Sequence, residues 1–174
     1  NGVRQDYTKA KEFFEKAADK GNETALFNLG CMYDTGTGVT QDYAKAAELY
    51  QKAADRGNPF AMGNLGTFYK IGRGVPQNAA KAAELYQQAS DRNNAVATCN
   101  LASLYEKGNG VPQDNAKAFA LYKKAESMGK CDHLSLCNCY INGLGTDRNY
   151  DLALQYAIGA YEKDGVSKEQ TGKN

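Results

Sequence analysis

Residues 42–75 decide the fold. They read DYAKAAELYQKAADRGNPFAMGNLGTFYKIGRGV, and close copies of this stretch follow one another along the chain. The dipeptide Gly-Val marks the register, recurring every 36 residues at Gly2-Val3, Gly38-Val39, Gly74-Val75 and Gly110-Val111. A degraded copy, Gly145-Thr146, follows after 35 residues. Self-similarity at such a period is typical of proteins whose repeats stack on one another to bury a continuous core.

Each copy is predicted to hold two helices. The first helix of the quoted stretch runs from about Asp42, a helix-capping residue type, to Arg56, and Gly57 is its stop signal. The second part runs from Pro59, a residue that suits a first helical turn, to Ile71 before Gly72. Apolar or small residues recur at i, i+3, i+4 and i+7, as one buried helix face requires. They are Ala46, Leu49, Tyr50 and Ala53 in one helix and Met62, Leu65, Gly66 and Tyr69 in the other.

A Gly-x-Gly follows the second helix of the stretch, and its equivalents are Gly36/Gly38, Gly72/Gly74, Gly108/Gly110 and Gly143/Gly145. Glycine pairs also occur in phosphate-binding loops, but those follow a strand and open a helix. No strand is predicted here. The pattern therefore indicates a left-handed helix stop followed by a turn.

Two strings resemble the Sel-one-like repeat, a relative of the tetratricopeptide repeat: Asn64-Leu65-Gly66-x-x-Tyr69-x-x-Gly72-x-Gly74-Val75-Pro76-Gln77 and Lys45-Ala46-x-x-Leu49-Tyr50-x-Lys52-Ala53-Ala54. The resemblance covers about residues 3–163. It implies an all-α fold, a right-handed α-solenoid (superhelix) of antiparallel helix-pair repeats of about 36 residues. In that family's convention the Asn-Leu-Gly helix comes first in a repeat. One solenoid then spans residues 1–164, with an orphan second helix at 6–20, repeats at 22–57, 58–93, 94–129 and 130–163, and a polar tail at 165–174.

Charge and hydropathy narrow the class of partner. The 21 Lys and Arg against 20 Asp and Glu do not provide the positive footprint of a nucleic-acid binder. No apolar run approaches the roughly 20 residues of a membrane span. Five cysteines form no disulfide framework, which favours a reducing, cytoplasmic compartment. The chain opens on Asn-Gly partway into the repeat, as a fragment or processed form would, so a removed signal peptide and a periplasmic or secreted bacterial location stay open.

Catalytic and metal sites need converging side chains, and the chain offers few. His133 is the one histidine, near Cys131, Cys137 and Cys139. At about 100° per residue, only His133 and Cys137 share a helix face, whereas a structural zinc site takes about four ligands. We therefore predict no catalytic residue, no metal and no cofactor. Some relatives have been suggested to hydrolyse cell-wall or β-lactam substrates, so a hydrolase using His133 is one alternative.

A row of asparagines lies opposite the predicted buried arc of the first helices. Asn28, Asn64 and Asn100 recur every 36 residues, although asparagine is only a middling helix former. In the related tetratricopeptide fold, first helices line a concave groove and asparagines there bind the ligand backbone. A side-chain amide offers both a donor and an acceptor to such a backbone. Alternatively, each asparagine bonds a neighbouring helix and tunes the stacking.

By that resemblance the chain is predicted to be a scaffold or adaptor that binds a protein or peptide in the groove of its first helices. The asparagines are the primary contacts. The secondary contacts are Phe60, Thr67, Lys70, Ser103, Glu106, Lys107 and Asn138. Exposed Phe60, Ile71 and Val96 would add apolar area, which favours a protein partner over a small metabolite. A further alternative is a structural piece of a longer solenoid in a quality-control complex.

Overall fold

The structure, a computed structural model, describes the backbone of residues 7–130 and 133–171 and side chains as far as residue 162. This part of the chain forms nine α-helices and no strand. None of these helices is long and apolar enough to cross a membrane. The helices are α1 Tyr7–Asp19, α2 Glu23–Thr35, α3 Tyr43–Asp55, α4 Pro59–Ile71, α5 Ala79–Asp91, α6 Ala95–Lys107, α7 Asn115–Ser127, α8 His133–Asn142 and α9 Tyr150–Thr171.

The chain divides into two compact units, residues 1–97 and 98–174, and α6 begins in the first and continues into the second. The first helices of the repeats are α2, α4, α6 and α8, and the second helices are α3, α5, α7 and α9. The orphan second helix predicted at 6–20 corresponds to α1. Helix α9 continues through Thr171, into the segment that the sequence assigned to a polar tail.

The second helices start at capping residues, as predicted for Asp42. The Asp42 backbone is extended, and its carboxylate accepts a hydrogen bond from the Lys45 amide at 2.9 Å. Asn78 and Asp114 do the same at the starts of α5 and α7. A cap of this kind satisfies a backbone N–H that has no partner within the helix. The local sequence thus sets where each second helix begins.

The Gly-x-Gly pattern ends the first helices, and the prediction of a left-handed stop is confirmed. Gly72 has φ +72° and its N–H bonds back to the Phe68 carbonyl. The second glycine has another role: a Cβ on Gly74 would overlap the backbone carbonyl of Tyr43 at the start of α3. In the second unit a Cβ on Gly145 would likewise overlap the Asn115 carbonyl at the start of α7. The loop after a first helix therefore lies directly on the preceding second helix.

In the first unit the core forms around tyrosines of the second helices. Tyr50 and Tyr86 are fully buried. A Cβ on Gly30 would meet the Tyr50 ring at 2.7 Å, and one on Gly66 would meet the Tyr86 ring at 2.8 Å. The glycine of each Asn-Leu-Gly therefore makes room for the aromatic ring of its own repeat.

The buried arc of the first helices is wider than the sequence indicated. Leu65 is buried as predicted, but Tyr69 is only half-buried, and Phe68 is 2% exposed. Phe68 packs on α3, with its ring centroid 5.5 Å from that of Tyr50 and 6.2 Å from that of Tyr43. A first helix contacts the preceding second helix as well as its own, so two sides of it are removed from water. A single helical stripe does not predict the second side.

In the second unit the last repeat departs from the others. Tyr122 is buried in α7, but Ala157 stands at the matching place in α9, and Cys137 replaces the small residue opposite. Tyr140 of α8 stacks on Tyr156 of α9 at 5.7 Å. The smaller residue in α9 accompanies a larger one in α8, which keeps the packed volume similar.

Candidate functional site

We call the residues at the positions of Phe60, Asn64, Thr67 and Ile71 in each repeat the first-helix face. In the first unit, Phe60 is 60% exposed and Ile71 is 48% exposed. Asn64 and Thr67 between them are half-buried. This face therefore presents apolar side chains at its edges and polar ones along its middle.

Asn28 lies on the same face one repeat earlier and is half-buried. It lines a cavity of about 450 Å³ between α1 and α2. The other lining residues are Tyr7, Ala10, Phe14, Cys31, Met32, Thr35 and Thr37. Among the residues that the structure describes, the Asn28 side chain makes no hydrogen bond. An open apolar pocket with a few polar groups at its wall is typical of a ligand site.

Asn64 belongs to a polar cluster between consecutive repeats. Its side chain lies near the Tyr50 hydroxyl and favours the ionised form of that phenol, lowering its pKa. That hydroxyl carries one proton and lies within hydrogen-bond distance of two acceptors, Asp34 Oδ2 at 3.3 Å and Cys31 Sγ at 3.4 Å. Asp34 also pairs with Arg73 at 3.6 Å. Asn64 therefore lies beside a junction of two repeats, where the stacking role and the partner-binding role both stay predictions.

Burial sets the protonation of this cluster. It raises the pKa of the Tyr50 phenol well above its usual value, so the hydroxyl stays protonated and remains a donor. Burial also raises the pKa of the Cys31 thiol, the contact with Tyr50 acting in the opposite direction. A thiol with a raised pKa is a poor nucleophile.

Thr67 and Lys70 differ in whether their side chains take part in hydrogen bonds with the described residues. The Thr67 hydroxyl bonds the Gly63 carbonyl at 3.1 Å and the buried Tyr86 hydroxyl at 3.0 Å. The Lys70 side chain is half-buried, and its backbone carbonyl accepts from the Gln77 side chain at 2.9 Å. Thr67 therefore serves mainly to satisfy a buried tyrosine, whereas the contact of Lys70 with Gln77 uses only its backbone carbonyl.

In the second unit the predicted contacts divide similarly. Asn100 and Ser103 are half-buried and Lys107 is exposed. Glu106 accepts a hydrogen bond from the buried Tyr122 hydroxyl at 2.7 Å. The Asn100 side chain makes no hydrogen bond with another described residue. Asn100 thus resembles Asn28 more closely than it resembles Asn64.

Asn138 in the last repeat is exposed, and its side-chain oxygen accepts from the Asn142 amide at 2.6 Å. Both residues lie on the first-helix face of α8. The first-helix face of α8 is therefore polar at these two positions, whereas the face in the first unit has the apolar Ile71 at its edge.

The sequence did not predict that the buried tyrosines reach the first-helix face. Tyr50, Tyr86 and Tyr122 recur every 36 residues, and this recurrence was the available signal. Each ring is buried while its hydroxyl meets a residue of the first helix of its own repeat, on the first-helix face for Tyr50 and Tyr86 (Cys31 and Thr67) and beside that face for Tyr122 (Glu106). The face is therefore fixed from beneath by hydrogen bonds as well as by packing.

The histidine and cysteine residues form no evident centre among the described residues. His133 lies against Gly159 and has its ring centroid 6.0 Å from that of Tyr156. Cys31 and Cys137 are free thiols. Residues 7–130 and 133–162 contain no group of three or more His, Cys, Asp or Glu placed to hold a metal. Cys131, part of the metal hypothesis, lies outside the described residues.

Comparison with solved structures finds helical repeat proteins. One is c5321, a protective antigen present in uropathogenic Escherichia coli strains that displays an SLR fold; it is 31% identical, with a TM-score of 0.86 over 94% of this chain. The chain spans 35% of the length of that protein. Another is a Sel1 repeat protein from Oxalobacter formigenes, 29% identical, with a TM-score of 0.77 over 90% of this chain and 67% of the other.

A more distant structure, Helicobacter pylori cysteine rich protein B, shares the fold at 24% identity, with a TM-score of 0.57 over 74% of this chain and 92% of the other. The sequence matches none of the curated proteins with which it was compared. These structures confirm the predicted all-α fold of helix-pair repeats.

The Sel1 repeat model matches residues 1–22, 24–58, 59–94, 95–130 and 133–164. These segments follow the helix pairs of the structure, with α1 as a half repeat. Sel1 repeats are typically protein-interaction scaffolds and are generally non-enzymatic. The chain belongs to the Sel1 repeat family.

Proposed function

We propose that the chain is an interaction scaffold that binds an extended segment or a helix of a partner protein on its first-helix faces. The observation that carries this proposal is the cavity of about 450 Å³ at Asn28. Phe14 and Met32 give it apolar walls. It suits a partner's apolar side chain, while the Asn28 amide bonds the partner's backbone.

Exposed apolar residues support a protein ligand. Phe60 and Ile71 in the first unit expose about half or more of their surface, and hydrophobic anchors on a polar surface are typical of protein interfaces. Asn100 offers an uncommitted amide in the second unit. The nearly balanced charge, 21 basic against 20 acidic residues, supports a ligand chosen by shape and hydrogen bonds rather than by net charge.

The asparagines are not equivalent under this proposal. Asn28 and Asn100 are the primary contacts, because their amides are not engaged by described residues. Asn64 lies beside the Tyr50 hydroxyl and lowers its pKa, so we assign it as a secondary contact. Replacing Asn64 would thus disturb the repeat junction, which makes it a poor test residue.

The test uses peptides selected from a displayed random library on the immobilised wild-type chain, with affinities then measured by fluorescence polarisation. Loss of one hydrogen bond is worth about 0.5–1.5 kcal/mol, or about 2–12-fold in affinity. We expect Asn28→Ala and Asn100→Ala each to weaken the peptides that reach them by that amount. Phe60→Asp should weaken binding further in the first unit.

Glu84→Ala provides the control, because Glu84 is exposed on a second helix. It should leave affinity within about twofold. All variants should keep the helical circular dichroism and melting of the wild type. Peptides that bind Asn28→Ala, Asn100→Ala and Phe60→Asp as tightly as the wild type would refute the assignment.

A further inference from the structure

A cleft of about 530 Å³ lies between α3 and α5 in the first unit. It is lined by α3, α5 and the residues just after them, together with Met62 of α4. We call it the α3/α5 cleft. Met62 and Leu85, 2% and 6% exposed, form its floor, and most of its other lining residues are charged or polar. None of these lining residues belongs to the first-helix face, so the cleft is a separate surface.

The cleft recurs one repeat earlier. A cavity of about 380 Å³ between α1 and α3 is lined by Leu26 and Arg56, which stand 36 residues before Met62 and Arg92 in the α3/α5 cleft. Arg56 lines both cavities. Because equivalent residues build both, the two clefts follow from the packing of the repeats. Two clefts that share a residue suit an elongated ligand better than a single small ion.

Two arginines at the ends of second helices hold equivalent positions at the cleft. Arg56 Nη1 donates a hydrogen bond to the Lys52 carbonyl of its own helix at 3.2 Å, and Arg92 makes the same bond one repeat later. Each side chain also passes the glycine after the preceding second helix. A Cβ on Gly21 would lie 3.3 Å from Arg56 Nε, and the corresponding distance from Gly57 to Arg92 Nε is 4.0 Å. These contacts orient each guanidinium, while most of its N–H donors make no bond to a described residue.

Positive charge exceeds negative charge at the cleft, although the chain as a whole is nearly neutral. Three cations line it against two carboxylates: Arg56, Lys81, Arg92, Asp55 and Glu84. Within the part of the chain that the structure describes, none of the three cations makes an ion pair. Asp55 instead accepts a hydrogen bond from the Gln51 amide at 2.7 Å, and the Lys81 ammonium lies 4.5 Å from the Tyr69 ring centroid. A carboxylate is the ligand group that this excess of charge favours.

We propose that the α3/α5 cleft binds an acidic, extended segment of a partner protein. Carboxylates of the segment pair with Arg56 and Arg92, because a planar guanidinium presents parallel N–H groups that match the two oxygens of a carboxylate. An apolar side chain of the segment lies on Met62 and Leu85 at the floor of the cleft. Since Arg56 also lines the cavity between α1 and α3, the segment continues across α3 towards that cavity.

The probe is a dye-labelled peptide of sequence Ser-Glu-Glu-Leu-Glu-Glu-Leu-Glu-Ser, titrated with the full chain and followed by fluorescence anisotropy at low salt. We expect saturable binding that Arg56→Gln and Arg92→Gln each weaken about threefold or more, and that the double variant weakens about tenfold. Arg56→Lys keeps the charge but loses the parallel N–H groups, so it should recover only part of the affinity. Added salt should weaken binding, because ions screen exposed charge pairs.

The matched control is Arg148→Gln, which removes the same charge from an exposed arginine that does not line the cleft and should change affinity less than about twofold. A peptide with glutamine in place of each glutamate should bind about tenfold more weakly or not at all. Asn28→Ala and Phe60→Asp should leave binding of the acidic peptide unchanged, so failure of the first-helix proposal is distinguished from failure of this one. Circular dichroism confirms folding, and if one arginine variant loses helix, Lys81→Gln replaces it.

Three results would overturn the proposal. One is the lack of saturable binding of the acidic peptide. Another is an affinity that the glutamine peptide matches or that the arginine variants leave unchanged. The third is binding to phosphatidylglycerol vesicles that Arg56→Gln and Arg92→Gln abolish and with which the acidic peptide does not compete, because a lipid headgroup would then occupy the cleft.

Discussion

Gly74→Ala tests whether the loop after a first helix must lack a side chain. Gly74 has φ +66°, and an added Cβ would overlap the Tyr43 carbonyl and lie 2.8 Å from the Ala44 nitrogen. A left-handed backbone costs an L-residue about 1–2 kcal/mol. Displacing a packed loop from rigid backbone adds about 1–3 kcal/mol. We expect the free energy of unfolding to fall by about 2–5 kcal/mol.

Gly129→Ala separates the two contributions. Gly129 has φ +75°, but an added Cβ would find no atom within 4 Å. Only the backbone cost of about 1–2 kcal/mol applies there. The two substitutions thus share the backbone conformation and differ in the contact with the preceding helix.

Urea unfolding followed by far-UV circular dichroism measures both losses. The Gly74 variant should lose about 1–3 kcal/mol more than the Gly129 variant, and each kcal/mol should lower the melting temperature by about 2–4 °C. Equal losses would refute the reasoning, because the contact of the loop with α3 would then contribute nothing.

Two further perturbations address capping and pH. Asn58, 6% exposed, caps α4 by accepting hydrogen bonds from the Phe60 and Ala61 amides. Asn58→Ala should therefore lower the free energy of unfolding in urea by about 1–2 kcal/mol. A decrease of less than about 0.5 kcal/mol would contradict this. Burial tends to raise the pKa of Glu126, but hydrogen bonds from Lys123 and Tyr156 outweigh it and lower the pKa. The ionised Glu126 carboxylate stabilises the fold fully above its unfolded pKa of about 4.3. This stabilisation is lost as pH falls through the lower pKa that Glu126 has in the folded protein. The melting temperature of Glu126→Gln should therefore fall less than that of the wild type below about pH 4. Equal acid sensitivity would contradict that assignment.

The helix pairs follow from local sequence. A cap such as Asp42 and a stop such as Gly72 act within a few residues, so α3 and α4 were predicted to within a residue of their observed ends. Periodicity also placed Leu65 in the core. It missed Phe68, because that residue is buried by a neighbouring repeat and not by the partner helix of its own pair.

The candidate site was predictable only in part. The recurrence of Asn28, Asn64 and Asn100 located a face, and the structure leaves Asn28 at a cavity wall while it brings Asn64 to Tyr50. Asn28 and Asn64 have different neighbours because α1 carries Phe14 where α3 carries Tyr50. Asn100 also follows a helix with a tyrosine at that place, Tyr86, but the hydroxyl of Tyr86 is bonded to Thr67.

The sequence by itself determined that the chain is a row of helix pairs and where helices such as α3 and α4 begin and end, since caps, glycines and helical spacing act over one or two turns. Tertiary structure decided which sides of those helices are buried and which polar side chains the tyrosine hydroxyls meet. Those outcomes depend on contacts between residues of different helices about 18–19 positions apart, within one repeat for Thr67 and Tyr86 and between neighbouring repeats for Tyr50 and Phe68. Whether a residue at such a contact is buried depends on which helix packs against it, and the local sequence pattern does not specify that neighbour.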